Sequence, residues 1–192
     1  MRPLFRPAFL VPALAFAASF LAACGGEASI KPAEILDERT GMTVGALDKP
    51  LELVQATPAS AASDRRASFA YLGPLEWDNS GKLSYGLWIH VAPGNDWRFE
   101  EIQAPGAVSL SLDGGKAPLS VIKPPALAHA PYQAVASWGQ TAYFGVDLDM
   151  LRRMAASGKI GLEIKAGDSV VHFAAAPDAH ETLARFLHAR GY

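Results

Sequence analysis

Cysteine is almost missing from this chain: Cys24 is the only one in 192 residues. A lone thiol forms no intrachain disulfide and builds no structural zinc site of several thiolates, so stability must come from packing. Charge is sparse too, with charged residues at 19% and a formal net charge of −2. Without a basic excess, nucleic acid is not an expected partner. Catalytic signatures are also missing. There is no Gly-x-Ser-x-Gly, no phosphate loop ending in Gly-Lys-Ser/Thr and no His-Glu-x-x-His.

What is present begins at the N-terminus. Arg2 and Arg6 precede an uncharged run from Pro7 to Gly26, which contains Leu21-Ala22-Ala23-Cys24. Basic residues, an apolar stretch and small residues at a cut site are the three parts of a secretion signal. Small side chains let an extended backbone enter a peptidase groove, and the cysteine that follows offers a thiol for lipid. These residues resemble the lipobox of bacterial lipoproteins. The resemblance implies cleavage before Cys24, acylation of Cys24 and attachment to a membrane through that lipid; Gly25, in place of an aspartate, implies the outer membrane, facing the periplasm. A plain cleaved signal and an uncleaved membrane helix are the alternatives, and Pro12 and the many alanines weaken the second.

The expected organisation is a signal peptide over 1–23, a lipidated cysteine and tether over 24–31, and one β-rich periplasmic domain over 32–192. Removing the signal takes two of the 17 basic residues and none of the 19 acidic ones, moving the formal charge from −2 to −4. From Gly25 to Ser29 the tether reaches only about 15–20 Å.

Within the domain, Pro32 to Arg39 reads as a short helix, with proline in the first turn and Gly41 ending it. Thr43–Leu47 and Leu51–Ala56 read as strands around Asp48-Lys49-Pro50, followed by an alanine- and serine-rich connection over Pro58–Asp64. Arg66–Leu72 and Leu83–Val91 flank the turn cluster Asp78-Asn79-Ser80-Gly81-Lys82 and predict a central hairpin. Tyr85, Leu87 and Ile89 share one face, Gly86 and Trp88 the other. A second hairpin is expected from Val108–Leu112, returning through Leu119–Ile122. A third joins Ile160–Ile164 to Val170–Phe173. Two helices follow from apolar stripes: about Leu148–Ser157, capped by Asp147 and stopped by Gly158, and about Ala179–Ala189, where Asp178 and Glu181 have capping-box spacing. The fold class is therefore mainly β, an antiparallel β-sandwich, Ig-like or barrel-like, with two short helices. Tyr71-Leu72-Gly73-Pro74 followed by Tyr85-Gly86-Leu87-Trp88 is similar to segments of small uncharacterised proteobacterial lipoproteins, a likeness that implies no activity.

Candidate chemistry is thin. His90 and His172 fall in strands, His129 in a proline-rich loop, and His180 and His188 lie about 12 Å apart along one helix, too far for one metal ion. Asp147 and Asp149 are explained by helix capping, and Asp78-Asn79-Ser80-Gly81 by a turn, since it lacks calcium-loop spacing. Ser120 and Lys123 have the spacing of a Ser-x-x-Lys acyl enzyme, but a strand would aim them apart. No metal, cofactor or catalytic residue is expected. Aromatics in the connecting loops, Trp97, Phe99, Tyr132 and Trp138, are the candidate binding residues, with covering of sheet ends as the plainer role. The expected function is a non-catalytic envelope interaction or assembly module with a protein partner; the alternative is a periplasmic small-ligand or glycan-binding module.

Overall fold

The computed structural model describes residues 29–56, 68–94 and 101–192. The signal segment, Cys24, the 57–67 connection, Trp97 and Phe99 lie outside the described residues. Eleven strands and two helices follow in chain order: β1 Pro32–Asp37, β2 Met42–Leu47, β3 Leu51–Gln55, β4 Phe69–Asn79, β5 Lys82–Ala92, β6 Val108–Leu112, β7 Gly115–Pro118, β8 Ser120–Val121, β9 Gln140–Val146, α1 Leu148–Ala156, β10 Ile160–Ala166, β11 Ser169–Ala175 and α2 Ala179–Ala189. All pairings are antiparallel, in the order β7-β6-β10-β11-β3-β4-β5-β9-β8, with β2 branching from β4 and β1 pairing β2.

The two ends of that order are one piece of chain. Leu119 alone separates β7 from β8; its N–H bonds Val108 O at 3.1 Å, while Ile122 N–H bonds Tyr143 O at 2.8 Å. One continuous segment therefore pairs first with β6 and then with β9, and the sheet nearly closes into a barrel. This is the barrel-like form of the expected class. It also corrects the second hairpin: the return strand is Gly115–Pro118, and Ser120–Val121 leaves it for β9. β9 has no counterpart among the expected hairpins.

The central hairpin is longer than its apolar core suggests, pairing eleven residues a side from Phe69↔Ala92 to Asn79↔Lys82. Ser80 and Gly81 both take positive φ, 54° and 84°, the requirement of a two-residue turn whose twist matches its strands. Asp78 fixes the turn by accepting Gly81 N–H at 2.6 Å.

The expected helix over 32–39 is a strand and a turn. Pro32–Asp37 pairs β2 at every residue, which satisfies more backbone than an isolated eight-residue helix could, since short helices barely form alone. Helical backbone bonding survives only at the end, where Thr40 and Gly41 N–H groups return to Asp37 O and Gly41 takes φ +69°. β2 and β3 do not pair with each other. They lie end to end along β4, β2 against Gly45↔Glu76 to Thr43↔Asp78 and β3 against Leu51↔Leu72 to Val54↔Phe69.

Register places Leu53, Leu72, Ile89, Leu110, Leu162 and Phe173 on one face, all at 2% exposure or less. Each such side chain contributes roughly 1.5–3 kcal/mol by leaving water. Eight ring positions (β7 with β8, β6, β10, β11, β3, β4, β5, β9) give an interior that side chains fill. One end, the helix end, is covered by α1 and α2, which bury Leu151, Met154, Leu183, Phe186 and Leu187. At the far end Ile102 is fully buried, with its N–H on Gln140 Oε1. Asp147 caps α1 as expected, accepting Met150 N–H at 2.7 Å, but the helix ends at Ala156, just before Ser157, whose N–H returns to Met154 O. Asp178 makes no side-chain cap, so the capping-box expectation for α2 fails; its carbonyl accepts Glu181 and Thr182 N–H instead. Among the described residues, no helix is long and apolar enough to cross a membrane.

Candidate interaction face

Between β8 and β9 the chain crosses the outside of the barrel as a strap, from Ile122 to Gly139. Its route is set by glycines. A Cβ at Gly145 would meet Ile122 at 2.9 Å, one at Gly73 would meet the Tyr132 ring at 2.2 Å, and one at Gly139 would meet His90 at 2.4 Å. Each missing side chain lets strap and sheet approach.

Tyr132 is the peg of the strap. Its ring lies 5.3 Å from Trp88, and its hydroxyl accepts Leu47 N–H at 2.8 Å while donating to Pro74 O at 3.0 Å. Those two backbone groups lie at the break between β2 and β3, where β4 has no partner strand on the side away from β5. Proline, which has no N–H to lose, is tolerated in a central strand at such a break. Burial pushes the Tyr132 hydroxyl well above its usual pKa.

His90 holds the next section. Ala136 N–H donates to its Nε2 at 3.3 Å, so Nδ1 carries the proton and donates to Thr141 Oγ1 at 2.8 Å. The imidazole is fully buried and stacks on Trp88 at 5.7 Å. Burial lowers its pKa and keeps it neutral.

Toward the helix end, Asp37 ties the strap to β1. Its carboxylate accepts Arg39, Thr40 and Ala128 N–H groups, and Arg39 donates back to Ala126 O at 2.9 Å. The Ala128 bond lowers the Asp37 pKa most, against the opposing effect of burial, and the turn N–H groups add to it. Between strap and β1 opens a cleft of about 600 Å³, walled by Ile35, Leu36, Val44 and Leu127 and rimmed by Asp37, Glu38, Arg39 and His129. Leu36 is 63% exposed there.

A second polar cluster joins α2 to the sheet. Arg190 donates through Nε and Nη2 to Glu76 Oε1, both at 2.8 Å, and through Nη1 to Glu34. Tyr192 donates to Glu76 Oε2 at 2.7 Å and accepts from Tyr85 at 2.6 Å. Burial opposes the charge on Arg190, but the bonds from Glu34 and Glu76 win and raise its pKa. For Tyr192, burial raises the pKa first, and Tyr85 and Glu76 raise it further. This cluster fixes the C-terminus and leaves its groups mutually satisfied.

The candidate aromatics thus separate. Tyr132 is turned inward at 4% exposure, whereas Trp138 stands 71% exposed beside Val135 at 56%. The histidines are spread: His90 under the strap, His129 at the cleft, His172 on an outer face against Glu163 at 3.4 Å, and His180 and His188 on α2. Among the described residues, no three His, Cys, Asp or Glu side chains group to hold a metal ion. Sequence reasoning missed the Asp37 latch and the Glu76–Arg190 pair. Asp37-Glu38-Arg39-Thr40-Gly41 carries a local turn signal for the first, but no local signal links residues 114 apart for the second. No known protein family, curated protein or solved structure matches the chain.

Proposed function

We propose that the chain is a lipid-anchored cell-envelope protein, held in the outer membrane by acyl groups on Cys24 and facing the periplasm, that acts as a non-catalytic interaction or assembly module. The observation that carries this reading is Leu21-Ala22-Ala23-Cys24 closing an uncharged run behind Arg2 and Arg6. Two features of the fold support the second half. The barrel interior is filled by side chains, so binding surfaces lie outside. Among the described residues β1 pairs with β2 alone and presents Leu36 beside the cleft, and an edge strand next to a partly apolar cleft suits an added strand from a partner.

A periplasmic small-ligand module is the second reading, favoured by the cleft volume, which lies in the range of small-molecule sites. Among the described residues its walls contain no Phe, Tyr or Trp for sugar stacking, which weighs against a glycan. Intact mass spectrometry and membrane fractionation of the native and Cys24→Ala proteins test the anchor. The expected result is acyl mass and membrane association in the native chain and loss of both in the variant. An unmodified native chain, or equal association of both, contradicts it.

A further inference from the structure

The four residues Ala136 to Gly139 form a tight turn, closed by Gly139 N–H to Ala136 O at 3.1 Å and propped from below by buried His90. This rigid support holds an indole and an isopropyl group in water, Trp138 at 71% and Val135 at 56% exposure. We propose that this turn is a bilayer-contacting surface that seats the far end of the barrel on lipid. The proposal rests on the lipid-anchor reading of Cys24.

Strand register supplies the geometry. β1 starts at Pro32 opposite Leu47, level with the middle of β4, and runs toward the helix end. Lys31, just before the strand, lies on its other side and is held there by its N–H on Asp48 Oδ1 and by Asp48 N–H on its carbonyl. Trp138 lies toward that same far end, because Gly139 abuts His90 and Gln140 pairs with Val91 near the close of β5. From Cys24 to Ser29 are five peptide steps, a reach under about 20 Å. A tether that short is compatible with acyl chains on Cys24 bringing the Trp138 end to the headgroups.

The strap that carries the turn, 122–139, holds no carboxylate, and Lys123 is its one lysine, in a protein whose formal charge is negative. Anionic headgroups repel carboxylates and tolerate this stretch. Indole rings favour the headgroup level, where the apolar body and the N–H are both satisfied.

The test uses the full acylated chain in phosphatidylethanolamine/phosphatidylglycerol vesicles, with brominated or ordinary acyl chains. Bromine quenches only indoles at the bilayer. The expected result is quenching of the native protein that is mostly lost in Trp138→Phe and partly lost in Val135→Ser. Both side chains are exposed, so unchanged circular dichroism confirms that the variants fold. An acylated, vesicle-floated native chain with no quenching, or with quenching independent of Trp138, overturns the surface and leaves the anchor standing. Absence of acyl mass on Cys24 overturns both.

Discussion

The barrel presents two outer faces built on one ladder of strands, and they solve different problems. Over β6, β10 and β11 the face is bare: Ser109 and Ser111 are half-buried, and Glu163 lies between Lys116 at 2.7 Å and His172. Over β2, β4, β5 and β9 the face carries Gly73, Gly86, Trp77, Trp88 and His90, and the strap covers it. A sheet face becomes interior when a loop is pinned to it. The strap's edges then carry apolar groups that no element of the described chain covers, Leu36 at the cleft and Val135 with Trp138 at the turn. Function is therefore sought along the strap and not on the bare face.

The sharpest way to break this contrast is Gly73→Ala. Its new methyl would sit 2.2 Å from the Tyr132 ring, which backbone on one side and Trp88 on the other hold in place. Overpacking of this kind costs roughly 3 kcal/mol, read as a lower urea midpoint, with faster hydrogen exchange along 122–139. A midpoint within experimental scatter of the native value would remove the peg from the account. Tyr132→Phe keeps the ring and leaves Leu47 N–H and Pro74 O without their partner, so a smaller loss of about 1–3 kcal/mol is expected.

Acid should act on the strap before the bare face. The His90 pKa is lowered in the fold, so the unfolded chain binds the proton first. Stability is complete above the ordinary value of 6.5 and declines as pH falls below it, by at most about 1.4 kcal/mol per unit. Asp37, also lowered, adds a second loss only as pH falls below 3.8. Urea titrations at pH 7.5 and pH 5 check the first step, and His90→Gln should flatten it. A native midpoint constant over that interval would contradict a neutral, load-sharing His90. Glu163→Gln on the bare face is the smallest effect, below about 1 kcal/mol, because both of its partners are largely exposed.

Local chemistry made part of this fold readable. Asp78-Asn79-Ser80-Gly81 and Asp113-Gly114 mark their turns because positive φ demands such residues, and Asp147 marks α1 because a cap is a three-residue event. What escaped is non-local. Pro32–Asp37 has the composition of a helix start and becomes a strand only because β2 lies beside it. Ring closure depends on one segment serving β6 and β9 in turn. Tyr132 could be singled out as an aromatic in a proline-rich loop, but whether it points out or in is decided by a gap between β2 and β3 that no short stretch of sequence encodes. Trp138 carried the same signal and took the opposite side.

Site-resolved photo-crosslinking in intact cells tests the central claim most directly, with a photoreactive residue placed at Leu36, exposed on edge strand β1 beside the cleft, in one protein and at Ser109 on the bare face in another. The account predicts one discrete adduct from Leu36 that disappears when Cys24 is replaced by alanine, and little from Ser109. Equal adducts from both positions, or a Leu36 adduct indifferent to Cys24, would contradict an anchored module working through this face.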